Sequence, residues 1–206
     1  MNILIKDILA VLPDGPVVCS VYIADGIIAS VEAAPEGFKA DKTIHGSGKM
    51  LIPGFVNAHT HASMTMFRNC ADDLLFNDWL FGRIFPLEEK LKGEDCYWGT
   101  TLAIMEMLRS GTTAFVDMYY FTDFCARAIV DSGIRAVYSR GLQGDATTGG
   151  EKMRETLEEY SRWKGHDNLT FMLAPHAPYT CDDGFQREVA AEAKRHRKCT
   201  ERAGQA

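Results

Sequence analysis

Three short apolar runs rich in Ile and Val open the chain: NILIKDILAV over residues 2–11, VVCSVYI over 17–23 and IIASVEA over 27–33. Pro13-Asp14-Gly15 and Asp25-Gly26 separate them, and such clusters mark tight turns, so the pattern predicts a small antiparallel β-unit. A polar loop over 34–49 follows. From MLIPGFVNAHTH onward, strand and helix alternate. Residues 94–110 (EDCYWGTTLAIMEMLRS) place Tyr97, Thr101, Ile104, Met105 and Leu108 on one helical face, with acids in the first turn and Gly111 as the stop. There follow the strand-like TTAFVDM (112–118), a helix around 122–132, the strand IRAVYS (134–139), a helix around 151–164, the strand LTFMLA (169–174) and a helical stretch from about Asp183. This alternation predicts right-handed β/α units on a parallel sheet.

Four barrel-type strands begin near Phe55, Thr113, Ile134 and Leu169. A closed eight-stranded β/α barrel needs twice as many and typically about 250 residues. The pattern therefore fits either a small open α/β domain or half of a larger barrel, and periodicity alone does not choose.

The chain has 206 residues, 46% hydrophobic and 24% charged, which fits a globular protein with a real core and excludes disorder and collagen-like repeats. A formal charge of −6 argues against binding nucleic acid or an anionic membrane surface, both of which need clustered Lys and Arg, so a small-molecule partner is expected. Lys6 and Asp7 interrupt the first apolar run, as a signal peptide would not tolerate, and no apolar stretch approaches the roughly 18 residues of a membrane span. Six scattered cysteines without a C-x-x-C pair fit reduced thiols in a bacterial-type cytoplasm. Lys194 to Arg202 hold five basic residues and one acidic, against the acidic balance of the rest, and the closing AGQA reads as a frayed terminus.

The sharpest candidate chemistry is His59-Thr60-His61, at the end of the strand FVNAHTH. Side chains alternate along a strand, so the two imidazoles share a side and can bind one divalent cation. H-x-H also occurs by chance in exposed loops, and a catalytic zinc wants at least three protein ligands plus an open position. In APHAPYT (174–180), His176 sits between two prolines that rigidify a loop over the C-terminal face of the sheet, where ligands bind; a simple loop hydrogen bond is the alternative. Glu88 could accept bonds from sugar hydroxyls and Arg140 could clamp a carboxylate, although either could equally be a solvated charge. Asp117, ending FVD, suits a supporting or capping role as well as a substrate contact. P-loop, G-x-G-x-x-G and G-x-S-x-G motifs are all missing, which removes the common nucleotide and serine-hydrolase readings.

Together PGFVNAHTHASMT (53–65), DWLFGRIFPLEEKL (78–91), GTTLAIMEMLRSGTTAFVDMYY (99–120) and APHAPYTC (174–181) resemble the amidohydrolase superfamily, in its branch of 5-methylthioadenosine/S-adenosylhomocysteine deaminases and related chlorohydrolases. The resemblance covers nearly all of residues 1–193. It implies an α/β fold: the N-terminal half of a TIM-like (β/α)8 metal-dependent hydrolase barrel over 53–193, preceded by a small β-sandwich portion over 1–52 and followed by an atypical basic tail over 194–206. It further implies that His59 and His61 ligate one Zn2+, or another divalent metal, per complete site. Glu88 would meet the ribose hydroxyls, Arg140 the amino-acid or thioether end, and His176 the nucleoside. The implied reaction is hydrolytic removal of ammonia from adenosine-type nucleosides (S-adenosylhomocysteine, methylthioadenosine or adenosine), with zinc supplying hydroxide at neutral pH. A cytoplasmic enzyme is implied, without nucleic-acid or membrane partners and open to homo-oligomerisation.

The sequence departs from that family at two places. After EVAAEAKRH the family continues into a strand bearing the next metal His and the catalytic Glu, whereas this chain reads RKCTERAGQA, as a shifted reading frame near Arg195 to Arg197 would give. The third and fourth ligands and the proton shuttle are therefore expected to be lacking, so that no catalytic residue is assigned within this chain and it is expected to be inactive and poorly soluble alone. A substrate-contacting Arg expected near Glu151 is also missing, with Lys152 or Arg154 as stand-ins. Guanine deaminase, triazine chlorohydrolase and a non-catalytic half-barrel that binds nucleosides are the alternatives.

Overall fold

The computed structural model describes residues 1–203, with side chains described through residue 196. The chain divides into two compact units, Met1–Gly54 and a second beginning at Phe55.

In the first unit, β1 (Asn2–Leu12), β2 (Gly15–Ala24) and β3 (Ile27–Val31) form an antiparallel meander, and β4 (Lys42–His45) and β5 (Met50–Leu51) add parallel to β1. The β2–β3 turn works because Asp25 and Gly26 both take positive φ, 49° and 82°, the backbone twist that two-residue hairpins require. Alternation buries Ile8 and Ala10 of β1 against Cys19 and Val21 of β2. The stretch 34–49, expected to be loop, contains β4; its Thr43 and Ile44 pair with Leu4 and Ile5, so long-range pairing overrides a polar local composition.

The second unit is built on four parallel strands in the order β10-β8-β7-β6: β6 (Phe55–Thr60), β7 (Thr112–Met118), β8 (Arg135–Ser139) and β10 (Leu169–Phe171). Beyond the last two, β9 (Gly141–Leu142) and β11 (Ala174–Pro175) pair in parallel, so the expected strand 169–174 is broken at Met172-Leu173. Between β6 and β7 lie a 3-10 turn (Ala62–Phe67), the short helices α1 (Phe76–Trp79) and α2 (Phe85–Glu88) with a π segment (Leu80–Ile84) between them, and the long helix α3 (Gly93–Arg109). The helices α4 (Thr122–Ser132), α5 (Gly149–Arg162) and α6 (Asp183–Ala203) follow β7, β9 and β11. Each β/α connection matches the alternation in the sequence.

The core is built around β7. Phe115 and Tyr138 pack with Ile104 and Met107 of α3 and Ile129 of α4. The buried face of α3 is Cys96, Gly99, Thr100, Ala103, Ile104 and Met107, one step round from the expected face; Met105 and Leu108 are 56% and 48% exposed. Close approach explains the offset. A Cβ on Gly93 would fall 2.1 Å from the Phe124 ring, and one on Gly99 would fall 2.6 Å from the Ser63 carbonyl, so α3 turns its small residues inward. No break separates residues 193 and 194, because α6 runs on through Ala203; residues 204–206 of the expected frayed end lie outside the described residues.

Candidate functional site

The C-terminal ends of β6, β7 and β8 bring the chemistry-bearing side chains to one rim, where loops of parallel β/α sheets gather ligands. Between Asn57 and Thr60, β6 spends one residue more than β7 does between Phe115 and Asp117, which is a bulge at the Ala58-His59 step. The imidazoles of His59 and His61 then lie with ring centroids 5.0 Å apart, edge to face, so the structure does bring this pair together.

His61 is oriented by β7. Its Nδ1 lies 2.7 Å from the Met118 carbonyl, which can only accept, so Nδ1 carries a proton and, in the neutral ring, Nε2 carries the lone pair. That is how a metal-ligating imidazole is commonly prepared. Asp117, with no exposed surface, holds the backbone around it: Oδ1 accepts the Ala62 N–H at 2.8 Å and lies 2.7 Å from the Thr60 hydroxyl. Burial pushes the Asp117 carboxyl above its ordinary range, against the opposing pull of these two bonds. Below the turn, Ser63 Oγ sits 2.9 Å from Thr100 Oγ1 and donates to the Cys96 carbonyl, which seats the loop on α3.

Glu88 closes α2 and accepts the Tyr119 hydroxyl at 2.8 Å; desolvation raises its pKa while that bond resists the rise. The Tyr119 ring is 6.4 Å from His61, so Glu88 belongs to the same neighbourhood as the histidines. Tyr138, fully buried, donates toward the carbonyls of Tyr119 and Tyr120 and thereby fixes the turn that carries the Tyr119 hydroxyl.

Arg140 is placed differently from a free anion clamp. Its Nη1 bonds Glu159 at 2.9 Å and lies 3.9 Å from Glu155, both on α5, while its backbone N–H donates to Tyr160 Oη at 2.7 Å. Part of the guanidinium is thus committed to tying β8 to α5. His176 follows β11 with Nδ1 3.0 Å from Thr180 Oγ1, and the Cδ2 of its ring lies 3.8 Å from where a Gly141 Cβ would stand.

Burial, and secondarily the charge of His61, hold the His176 pKa below 6.5. Between the lowered value and 6.5 the unfolded chain binds the extra proton, so stability rises with pH across that window and is lost as pH falls through it. His176→Gln is expected to flatten this slope in urea midpoints taken at successive pH values; an unchanged slope would refute the assignment.

Sequence reasoning singled out none of the bracing groups except Asp117, and that only in general terms. The tripeptide Asp117-Met118-Tyr119 holds the Thr60–Ala62 loop, the His61 ring and Glu88 with three successive residues. Two of those holds come from a backbone carbonyl and a phenol, neither of which leaves a motif. Its position at the end of an apolar strand was the available signal.

The family model of the amidohydrolase family matches residues 50–200. The chain belongs to the amidohydrolase family. Among its relatives, the 5-methylthioadenosine/S-adenosylhomocysteine deaminase of Carboxydothermus hydrogenoformans is 50% identical over 157 residues, covering 75% of this chain and 36% of the relative. That of Thermoanaerobacter pseudethanolicus is 41% identical over 202 residues, covering 94% and 47%. A solved adenosine deaminase from Xanthomonas campestris, described with bound zinc, is 32% identical with a TM-score of 0.83, and the match covers 94% of this chain and 47% of that one. The chain spans about half the length of the curated relatives it matches. The amidohydrolase fold is thus present here as the first half of a TIM-type barrel with its preceding β-unit.

The donor set fits a metal at two corners. His59 and His61 supply two imidazoles, one with its lone pair fixed on Nε2, but among the described residues no group of three His, Cys, Asp or Glu could hold an ion. No helix among them is long and apolar enough to cross a membrane.

Proposed function

We propose that this chain supplies the front half of a zinc-dependent site for hydrolytic deamination of adenosine-type nucleosides. The observation that carries the reading is the His59–His61 pair at the end of the first barrel strand, with Met118 O holding His61 in the ligating tautomer. Its support is the naming of relatives 40–50% identical to the chain as deaminases of methylthioadenosine and S-adenosylhomocysteine. Zinc bound by His59, His61 and ligands from later strands would supply hydroxide at neutral pH by lowering the pKa of its water to about 7.

In this reading the chain's own residues bind and orient. Glu88, held by Tyr119, accepts hydrogen bonds from the ribose hydroxyls, and its bond to the phenol keeps a carboxylate oxygen in place. His176 faces the nucleoside from its proline-bounded loop. Arg140, anchored through Nη1 on Glu159, offers its remaining donors to the 5′ substituent. The reaction exchanges the 6-amino group for oxygen, consumes water and releases ammonia. The family's proton-shuttling Glu belongs to a later strand.

The test is the adenine absorbance band, which deamination shifts and binding does not. The chain is mixed with the C-terminal half of the Thermoanaerobacter relative and zinc, then offered S-adenosylhomocysteine, methylthioadenosine, 5′-deoxyadenosine and guanine. A shift with adenine nucleosides and none with guanine is expected. Turnover of guanine alone would favour the guanine-deaminase alternative, and binding without a shift would favour a non-catalytic nucleoside-binding half-barrel.

A further inference from the structure

We infer that Asp117 is the positioning residue of His61: its buried carboxyl pins the chain on both sides of that imidazole, so that the ring keeps Nδ1–H on Met118 O and leaves Nε2 as the lone-pair nitrogen. The inference rests on the reading above for its consequence, metal binding, while its geometry stands alone.

His61 is where β6 ends and the chain turns into the 3-10 segment; its φ and ψ are −125° and 72°, outside helical values, and its backbone belongs to neither element. A residue at such a junction has freedom unless its neighbours are tied. Here they are. The Thr60 hydroxyl has one proton, which serves either Asp117 Oδ1 at 2.7 Å or the Val116 carbonyl at 2.9 Å, both on β7. On the other side, the Ala62 N–H donates to the same Asp117 Oδ1 at 2.8 Å. One carboxyl oxygen thus spans Thr60 and Ala62, and the residue between them is presented to the carbonyl of Met118, the residue after Asp117. Ser139 Oγ in turn donates to the Asp117 carbonyl at 2.8 Å, so the brace is itself fixed to β8.

The other carboxyl oxygen argues that the role exceeds stability. Asp117 Oδ2 is a buried side-chain atom with no hydrogen-bond partner among the described residues. An unpaired carboxyl oxygen is costly to bury. Capping the Ala62 N–H alone needs one acceptor oxygen, which a serine would supply without a second oxygen left unpaired.

The experiment is nitrogen-15 NMR of the imidazole rings in the 206-residue chain, at a pH where the histidines are neutral. The unsubstituted chain is expected to show His61 as a single tautomer with the proton on Nδ1. Asp117→Asn keeps an oxygen for both donors and should keep that tautomer. Asp117→Ala removes both bonds and should give a mixture in which Nε2 is protonated, with loss of the Nδ1–H resonance partnered by Met118 O. Thr60→Val removes one tie and should show a partial loss, which decides the matter if Asp117→Ala does not fold. An unchanged His61 tautomer in folded Asp117→Ala, or in Thr60→Val when the first does not fold, overturns the inference even if melting temperature falls, because that would be a purely structural role. In the reassembled site, Asp117→Ala should also weaken zinc affinity about 10–100-fold, as loss of a group orienting a ligand does. Failure of the deaminase reading leaves the tautomer measurement unaffected, so the two are separable.

Discussion

Phe115→Ala is expected to lower stability by about 3–5 kcal/mol, the range found when a buried aromatic ring is truncated and the surroundings collapse only in part. Phe115 is 1% exposed at the middle of β7, the strand that pairs with both β6 and β8, and it packs in the cluster with Ile104, Ile129 and Tyr138. Domains of this size are stable by about 5–15 kcal/mol in all, so the loss would bring the second unit close to unfolding. A urea titration reads it directly. The control is Met105→Ala: the apolar periodicity puts Met105 on the buried face of α3, whereas it is 56% exposed, and a change of no more than about 0.5 kcal/mol is expected. Equal effects at the two positions would mean that α3 is rotated relative to the arrangement described.

The second large effect concerns zinc. Complete structural sites contribute about 10–16 kcal/mol of apparent binding free energy at neutral pH. Two imidazoles supply half of a four-ligand shell, so about 5–8 kcal/mol is expected from His59 and His61, which is a dissociation constant between roughly 1 μM and 0.2 mM. Among the described residues no third His, Cys, Asp or Glu completes the group. Equilibrium dialysis of the 206-residue chain should therefore find weak zinc, further weakened by His59→Ala. Tight stoichiometric zinc would show a ligand set that the described residues do not provide.

The strand–helix alternation was legible because it rests on local signals. Asp25-Gly26 demands a particular turn, Gly111 ends α3 with φ 87°, and Gly133 ends α4 with φ 74°. What escaped depends on partners distant in sequence. β4 forms inside a polar stretch because β1 offers an edge, and the buried face of α3 is chosen by where Ser63 and Phe124 approach Gly99 and Gly93. At the site, the spacing of His59 and His61 carried the pair, while the bulge at Ala58-His59 shows only in the pairing with β7, and the tautomer of His61 depends on Asp117 and Met118, 56 to 57 residues further on. Arg140 shows the opposite limit: a cation at a strand end reads as a ligand clamp, and only the fold reveals Glu155 and Glu159 on α5 beside it.

The central claim is that His59 and His61 form the metal corner of a nucleoside-deaminating site. It is tested most directly by measuring zinc content and loss of the adenine band together, for the barrel reassembled from this chain and a relative's second half, with and without His61→Ala. The account predicts one zinc per reassembled barrel with turnover of an adenine nucleoside, and loss of both in the variant. Turnover that survives His61→Ala with zinc still bound would contradict it.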